Sequence, residues 1–194
     1  PTKNDDYNAN YPQAGDPLNR HWNNTLTGYT DPSGVAPALE PTTAHFKDLI
    51  NANTALWYIN QGDPYYDNKT LWATMGHLYR GGMWLKKKAN INGFKADKAP
   101  DGRDWRKFSK DDSWNVSSTL PSVNEAAQFF YLPAMGNYLQ GRLNAIDYAG
   151  FYWSSSIYPD TSQPDFSYYM RVRSTKVDVF GASRGYGFRV QTFE

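Results

Sequence analysis

No cysteine occurs in the 194 residues. That removes every chemistry running through a thiolate: no disulfide framework, no CxxC redox pair, no cysteine-ligated zinc. The redox compartment stays open, because a cysteine-free chain suits either side of a membrane. Histidine is scarce as well, and His21, His45 and His77 stand so far apart in sequence that neither a metal centre nor a catalytic triad is indicated. Long apolar runs are missing: none approaches the roughly 20 residues of a membrane-crossing helix, so no transmembrane segment is expected. No signal peptide heads the chain, and its start at Pro1 reads as a processed or trimmed end. An excess of one charge is missing too. Lys and Arg number 20 against 19 Asp and Glu, the two signs are interspersed, and the net +1 argues against a nucleic-acid partner.

What is abundant is aromatic. Phe, Trp and Tyr make up 16% of the chain, with 15 Tyr and 7 Trp, set among many Asn, Ser, Gly and Pro residues. Rigid rings that supply contact area, mixed with small polar groups that supply adaptable hydrogen bonds, are the composition of exported β-rich recognition domains. At this length a single substantial domain buries roughly 70% of the surface its unfolded chain exposes and needs no metal or disulfide to fold.

Residues 1–40 carry Asn, Asp, Pro and Gly at high density without a sustained period and read as an irregular arm or linker. From Pro41 the character changes. Phe46, Leu49 and Ile50 share a helical face behind Thr42 or Thr43 as cap, which predicts a helix over 42–52. About 54–118 read as a loop-rich insertion with a few strands, among them Ala55-Leu-Trp-Tyr-Ile59 and His77-Leu-Tyr79, punctuated by turns at Gly81-Gly82, Asn92-Gly93 and Asp101-Gly102. The triple Lys86-Lys87-Lys88 lies close in sequence to Asp97, Asp101 and Asp104 and reads as solvated loop. Ser122-Val-Asn-Glu125 has the form of a capping box, with Val123, Ala126, Ala127 and Phe130 at helical spacing, and predicts a second helix ending near Tyr131, before Pro133. From Gly150 the period becomes two. Tyr168, Met170 and Val172 share one face of a strand and Tyr169, Arg171 and Arg173 the other; Val177 and Val179, then Tyr186, Phe188 and Val190, repeat the alternation, with turns at Ser174-Thr175 and Gly181-Ala-Ser-Arg-Gly185. Two helices followed by a three-stranded meander indicate an α+β domain over 41–194.

Several ordered segments resemble a known family. Leu120-Pro-Ser122, Tyr131-Leu-Pro-Ala-Met-Gly136, Gly141-Arg-Leu143, Gly150-Phe-Tyr-Trp-Ser-Ser-Ser156, Tyr168-Tyr-Met170 and Gly187-Phe-Arg-Val190 are together similar to the Fibrobacter succinogenes major paralogous domain over about 118–192. The resemblance implies a C-type-lectin-like fold, two helices flanking a small twisted antiparallel sheet with long loops. It also implies a place at the bacterial cell surface, extracellular or on the outer membrane, within fimbrial or lipoprotein assemblies. Formylglycine-generating enzymes, of the same broad fold, have signatures like Arg80-Gly-Gly-Met-Trp84 and Gly187-Phe-Arg189, but their oxidase chemistry is excluded without a cysteine.

The aromatic-rich Gly150 to Ser156 run reads as core, with Trp153 buried and the serines satisfying backbone groups where the strand ends. The candidate ligand-binding residues follow it: Tyr158, Asp160, Gln163 and Asp165 on the next loop, Tyr169, Arg171 and Arg173 on the outward face of the meander, and Arg184 and Tyr186 in its last turn. Retroelement-diversified bacterial proteins display binding residues at comparable places in a lectin-like module. Gln163-Pro164-Asp165 is similar to the calcium and galactose motif of animal C-type lectins. Its Trp-Asn-Asp partner does not follow, so no cofactor is expected, with calcium at Asp160 and Asp165 a minor alternative. The sequence therefore points to a non-enzymatic, adhesin-type binding domain for a host or microbial glycan or protein. A structural module contacting fimbrial subunits and a carbohydrate-active enzyme are the alternatives.

Overall fold

The computed structural model describes residues 48–139, 142–160, 162, 163, 166–184 and 186–193. The expected arm at 1–40 and residues 42–47 of the first expected helix lie outside them. The one α-helix among the described residues begins where the expected helix was to end. Asn51 stands in extended conformation and its side chain accepts from the Thr54 amide at 2.8 Å, opening α1 (Ala52–Gln61). The unsatisfied Ala52 amide donates to the buried Ser156 hydroxyl at 2.9 Å. Leu49 and Ile50 do not share a helical face; each is buried in a different apolar cluster. Residues 55–59, expected as a strand, are the middle of α1, where Ala55, Leu56, Tyr58 and Ile59 are buried. A cap and a buried face outweigh a weak strand preference.

Past α1, β1 (Tyr65–Thr74) and β2 (His77–Lys86) form a long antiparallel hairpin, and β2 pairs on its other side with β4 (Phe129–Pro133). A six-stranded sheet holds, in order, β3 (Asp112–Asn115), β9 (Lys176–Ser183), β8 (Phe166–Arg173), β7 (Ala149–Ile157), β5 (Met135–Leu139) and β6 (Arg142–Ile146). The described residues are thus mostly β, with nine strands in two sheets and one α-helix. This overturns the expected α+β arrangement of two helices flanking a small sheet, and with it the C-type-lectin-like fold.

The missing second helix shows the cause. Ser122 does bond Glu125, its hydroxyl donating to the carboxylate at 2.6 Å and its amide at 3.1 Å. Only a single 3-10 turn, Ala126–Gln128, follows. Val123 is 93% exposed and the alanines are exposed too. Phe129 and Phe130 are instead drawn into β4, where pairing with Lys86 and Leu85 of β2 buries both rings. Burying two phenylalanines, at about 2 kcal/mol each, outweighs what a capping box contributes. Gly81 and Gly82, expected as a turn, lie inside β2, and the expected turn at 181–185 is taken up to Ser183 by β9.

The C-terminal meander is present in altered form. β7, β8 and β9 are antiparallel neighbours and residues 174 and 175 make the turn between the last two. The expected third strand at Tyr186, Phe188 and Val190 is not one. The tail makes only isolated bridges, Gly187 with Tyr138 and Arg189 with Tyr152.

Two apolar clusters sandwich this sheet. On one face Tyr152, Tyr168, Met170, Val172, Val177 and Val179 pack with α1, β2 and β4. On the other, Trp153, Tyr169, Ala182, Phe188 and Leu49 form a second buried cluster. Ser154, Ser155 and Ser156 are buried where the β7–β8 register shifts. Ser155 donates its amide to the Ile50 carbonyl at 2.7 Å while Ser156 caps α1, so these serines do hold backbone groups. Tyr168 reaches across the core so that its hydroxyl donates to the Phe108 carbonyl and accepts from the Lys110 amide at 3.2 Å, anchoring the long loop before β3.

Burial pushes several phenols upward. Tyr58 and Tyr158 rise from 10.0 to about 12, and Tyr131, Tyr152 and Tyr168 move further in the same direction. A folded-state pKa above the unfolded value leaves stability intact below about pH 10 and removes it as pH rises through about 12. Tyrosinate absorbance should therefore rise together with loss of near-ultraviolet dichroism between about pH 10 and 12. Titration of all tyrosines near pH 10 in a folded protein would contradict the burial.

Candidate functional site

The residues expected to bind ligand are mostly at work inside the fold. Tyr169 is 8% exposed, its ring centroid 4.7 Å from Phe188 in the second cluster, and burial raises its phenol pKa. Tyr186 lies half-buried against the same Phe188 at 5.6 Å. Arg184 is 9% exposed. The prediction that Tyr169 and Arg184 face solvent is therefore wrong, because alternation shows which residues share a face but not whether that face is covered.

Arg171 and Arg173 are a quarter exposed, and their charge is already engaged. Asp178, opposite Arg171 in the β8–β9 register, is fully buried. Its Oδ2 accepts from Arg171 Nε at 2.9 Å and from an Arg173 terminal nitrogen at 2.8 Å, and its Oδ1 accepts from the Ser113 hydroxyl at 2.6 Å. The Arg171 guanidinium also lies 5.0 Å over the Phe180 ring. This is a fastening between β3, β8 and β9.

The loop after β7 is likewise tied down. Tyr158 packs edge-on to Tyr168 at 4.9 Å, above Gly181, where a Cβ would come within 2.5 Å of the ring. After burial, the nearby Asp111 charge also raises the Tyr158 phenol, and partial burial pushes the Asp111 carboxyl upward despite the Gly181 amide at 3.3 Å. Asp160 Oδ1 accepts from the Ser162 hydroxyl and amide at 2.7 and 2.9 Å, which lowers its pKa, and Gln163 reaches back to Asp160 at 3.5 Å. Asp165 lies outside the described residues. Among the described residues no three His, Asp or Glu side chains gather to hold a metal.

A different site opens beside the hairpin. β1 bulges between Asp67 and Leu71, and the reason is local: Asp67 accepts from the Lys69 and Thr70 amides at 2.7 and 3.1 Å, from the Thr70 hydroxyl at 2.6 Å and from the Trp84 indole at 3.2 Å. Burial alone would raise its pKa, but these bonds outweigh it and hold the carboxyl below the usual range. The bulge turns Asn68 and Lys69 outward. Opposite, Gly81 has φ +92°, and a Cβ there would meet the Tyr66 hydroxyl at 2.8 Å, so glycine is what lets the tyrosine cross the strand. Tyr66 donates to the Asp147 carbonyl at 3.3 Å, and Asp147 Oδ1 accepts from the Arg80 amide at 3.0 Å. Asp147 sits left-handed, φ 63°, in the turn joining β6 to β7, and Tyr148 beside it is 63% exposed.

Together with Ser174 these residues enclose an open cleft of about 460 Å³ where the hairpin meets the turns of the second sheet. Its walls offer two phenol rings, an amide, a hydroxyl, a carboxylate and two cations. Sequence reasoning missed all of them. The bulge signal, Asp67 followed by Asn, Lys and Thr, is an Asx motif, and it lay in a stretch read as a loop-rich insertion with a few strands. Comparison with protein-family models, with curated proteins and with solved structures finds no match to this chain.

The fastening role of Asp178 is testable. Removing one member of a buried ion pair costs about 3–5 kcal/mol when both charges are buried, and partial exposure of the arginines reduces this to about 2–3 kcal/mol. Urea unfolding of Asp178→Ala should show that loss. A change below about 1 kcal/mol would mean that other contacts hold the three strands.

Proposed function

We propose that this chain is a non-enzymatic binding module that holds a glycan in the cleft between Tyr66, Arg80 and Tyr148. The observation that carries the reading is the cleft itself. Sugars are held by rings lying against their C–H faces and by side chains that donate or accept in the plane of their hydroxyls. Tyr148 supplies an accessible ring, while Asn68, Ser174, Arg80 and the Asp147 carboxylate supply both donors and acceptors. Glycosidic hydrolysis calls for two carboxylates across the scissile bond, and Asp147 is the one carboxylate among the described residues lining the cleft. Display at a bacterial surface follows from the family resemblance. That resemblance rests on motifs before and in β4 and in β5, β6, β7, β8 and the tail, while the fold it implied is not the one observed.

A second reading, an assembly module contacting neighbouring subunits, has its own observation. β4 pairs with β2 only from Gly82 to Lys86, so the end of the β1–β2 hairpin projects beyond the sheet. There Leu71 and Leu78 fall on one face with Met75 at the tip, each at least 60% exposed, while Trp72 and Tyr79 stack at 5.0 Å on the other. Self-association in sedimentation that Leu78→Lys abolishes would favour this reading over the first.

The glycan reading predicts binding on a glycan array that Tyr148→Ala weakens tenfold or more, since an exposed anchoring ring is worth upwards of about 1 kcal/mol to a ligand. Tyr148 is exposed, so the variant's unfolding free energy should stay within about 0.5 kcal/mol of the parent. No glycan bound, or binding indifferent to Tyr148, would contradict the assignment.

A further inference from the structure

The charges around the cleft do not cancel. Register places Leu71 opposite Arg80 and Asp67 opposite Gly82, so the bulged residues 68–70 have only Gly81 across from them, and Lys69 and Arg80 come to line one concavity. The carboxylate nearest to Lys69 in the chain, Asp67, is turned into the bulge, accepting four hydrogen bonds. Among the described residues neither Lys69 nor Arg80 is ion-paired, in contrast to Lys86, Arg106, Arg171 and Arg173, each of which has an aspartate partner. Asp147 is held in place through its bond to the Arg80 amide, leaving Oδ2 as an acceptor.

Two cations against one carboxylate leave a concave site with a net positive charge, and neither cation has an ion-pair partner there. An anion resolves both. The guanidinium matches a carboxylate or sulfate with two parallel donors, while the ammonium adds a point charge from the other wall. The single carboxylate has the opposite effect: it accepts from a hydroxyl and repels a second anionic group, which selects against polyanions.

We propose that the cleft binds an acidic saccharide through one carboxylate or sulfate lodged between Lys69 and Arg80, with a neighbouring hydroxyl on Asp147 and the sugar ring against Tyr148. This rests on the cleft being a glycan site. It narrows the ligand to a singly charged unit, a uronate or a sulfated sugar, presented among neutral ones.

The test is calorimetric titration of the whole chain with three probes: a galacturonate disaccharide, the matching galactose disaccharide and a mono-sulfated galactose disaccharide. At least one acidic probe should bind tenfold or more tightly than the neutral one, and its affinity should fall as salt rises from about 50 to 200 mM. Which acid binds better separates the carboxylate source from the sulfate source. Arg80→Gln should reduce affinity for the acidic probe about tenfold and Lys69→Gln about threefold, each a larger loss than the same variant shows with the neutral probe. Arg80→Lys should recover only part of the loss, because the two-pronged contact is gone. Both side chains are exposed, and Lys69→Gln gives an independent arm should Arg80→Gln unfold. Equal binding of acidic and neutral probes would overturn this inference and leave the glycan reading standing; binding of none would overturn that reading as well. Unchanged acidic affinity in both variants would overturn the placement of the anion.

Discussion

β8 has little of either face left for solvent, and the rest of the structure follows from that. Tyr168, Met170 and Val172 point into the core shared with α1, β2 and β4, while Tyr169 points into the second aromatic cluster with Trp153 and Phe188. A strand covered on both sides can hold charge only in pairs. Arg171 and Arg173 meet that condition through Asp178 on β9, which in turn receives Ser113 of β3, so electrostatic necessity in the middle of the sheet also attaches its edge strand. The opposite edge is reached through Gly136 and Gly150, where β5 runs parallel to β7.

With the sheet sealed, recognition has to come from places where the chain leaves regular pairing. Three such departures meet: the Asp67 bulge in β1, the positive φ at Gly81 in β2, and the left-handed Asp147 between β6 and β7. Each has a local cause. Together they set Lys69, Arg80 and Tyr148 around one concavity, and the hydrogen bonds from Tyr66 and the Arg80 amide to Asp147 join the two sheets at that point. Irregularities supported by rigid strands are where binding groups commonly lie.

Two strands of the six-stranded sheet were legible in the sequence, and the reason is that period-two alternation is a strong local signal. It located β8 and the start of β9, the turn at residues 174 and 175, and the buried faces of Tyr168, Met170 and Val172. The placement of Trp153 in the core and of the neighbouring serines on backbone groups was legible from residue type, a large apolar ring beside small hydroxyls where a strand ends. What failed was what depends on distant partners. Nothing near Phe129 and Phe130 announces that β2 will claim them, so a well-formed capping box looked like a helix. Nothing near Tyr169 announces Phe188, so a covered face looked like an outward one. The cleft was invisible because its walls come from residues 66–81, 147, 148 and 174, which only the folded topology brings together.

The central claim is that β8 is closed on both faces, and native-state amide exchange measures it most directly. Amides of residues 168–172 should exchange only through global unfolding, with an opening free energy equal to that from denaturant titration. Exchange of Tyr169 and Arg171 through local openings about 2 kcal/mol or more below the global value would show a strand with one face open to water, and would return the meander to candidacy as the binding surface.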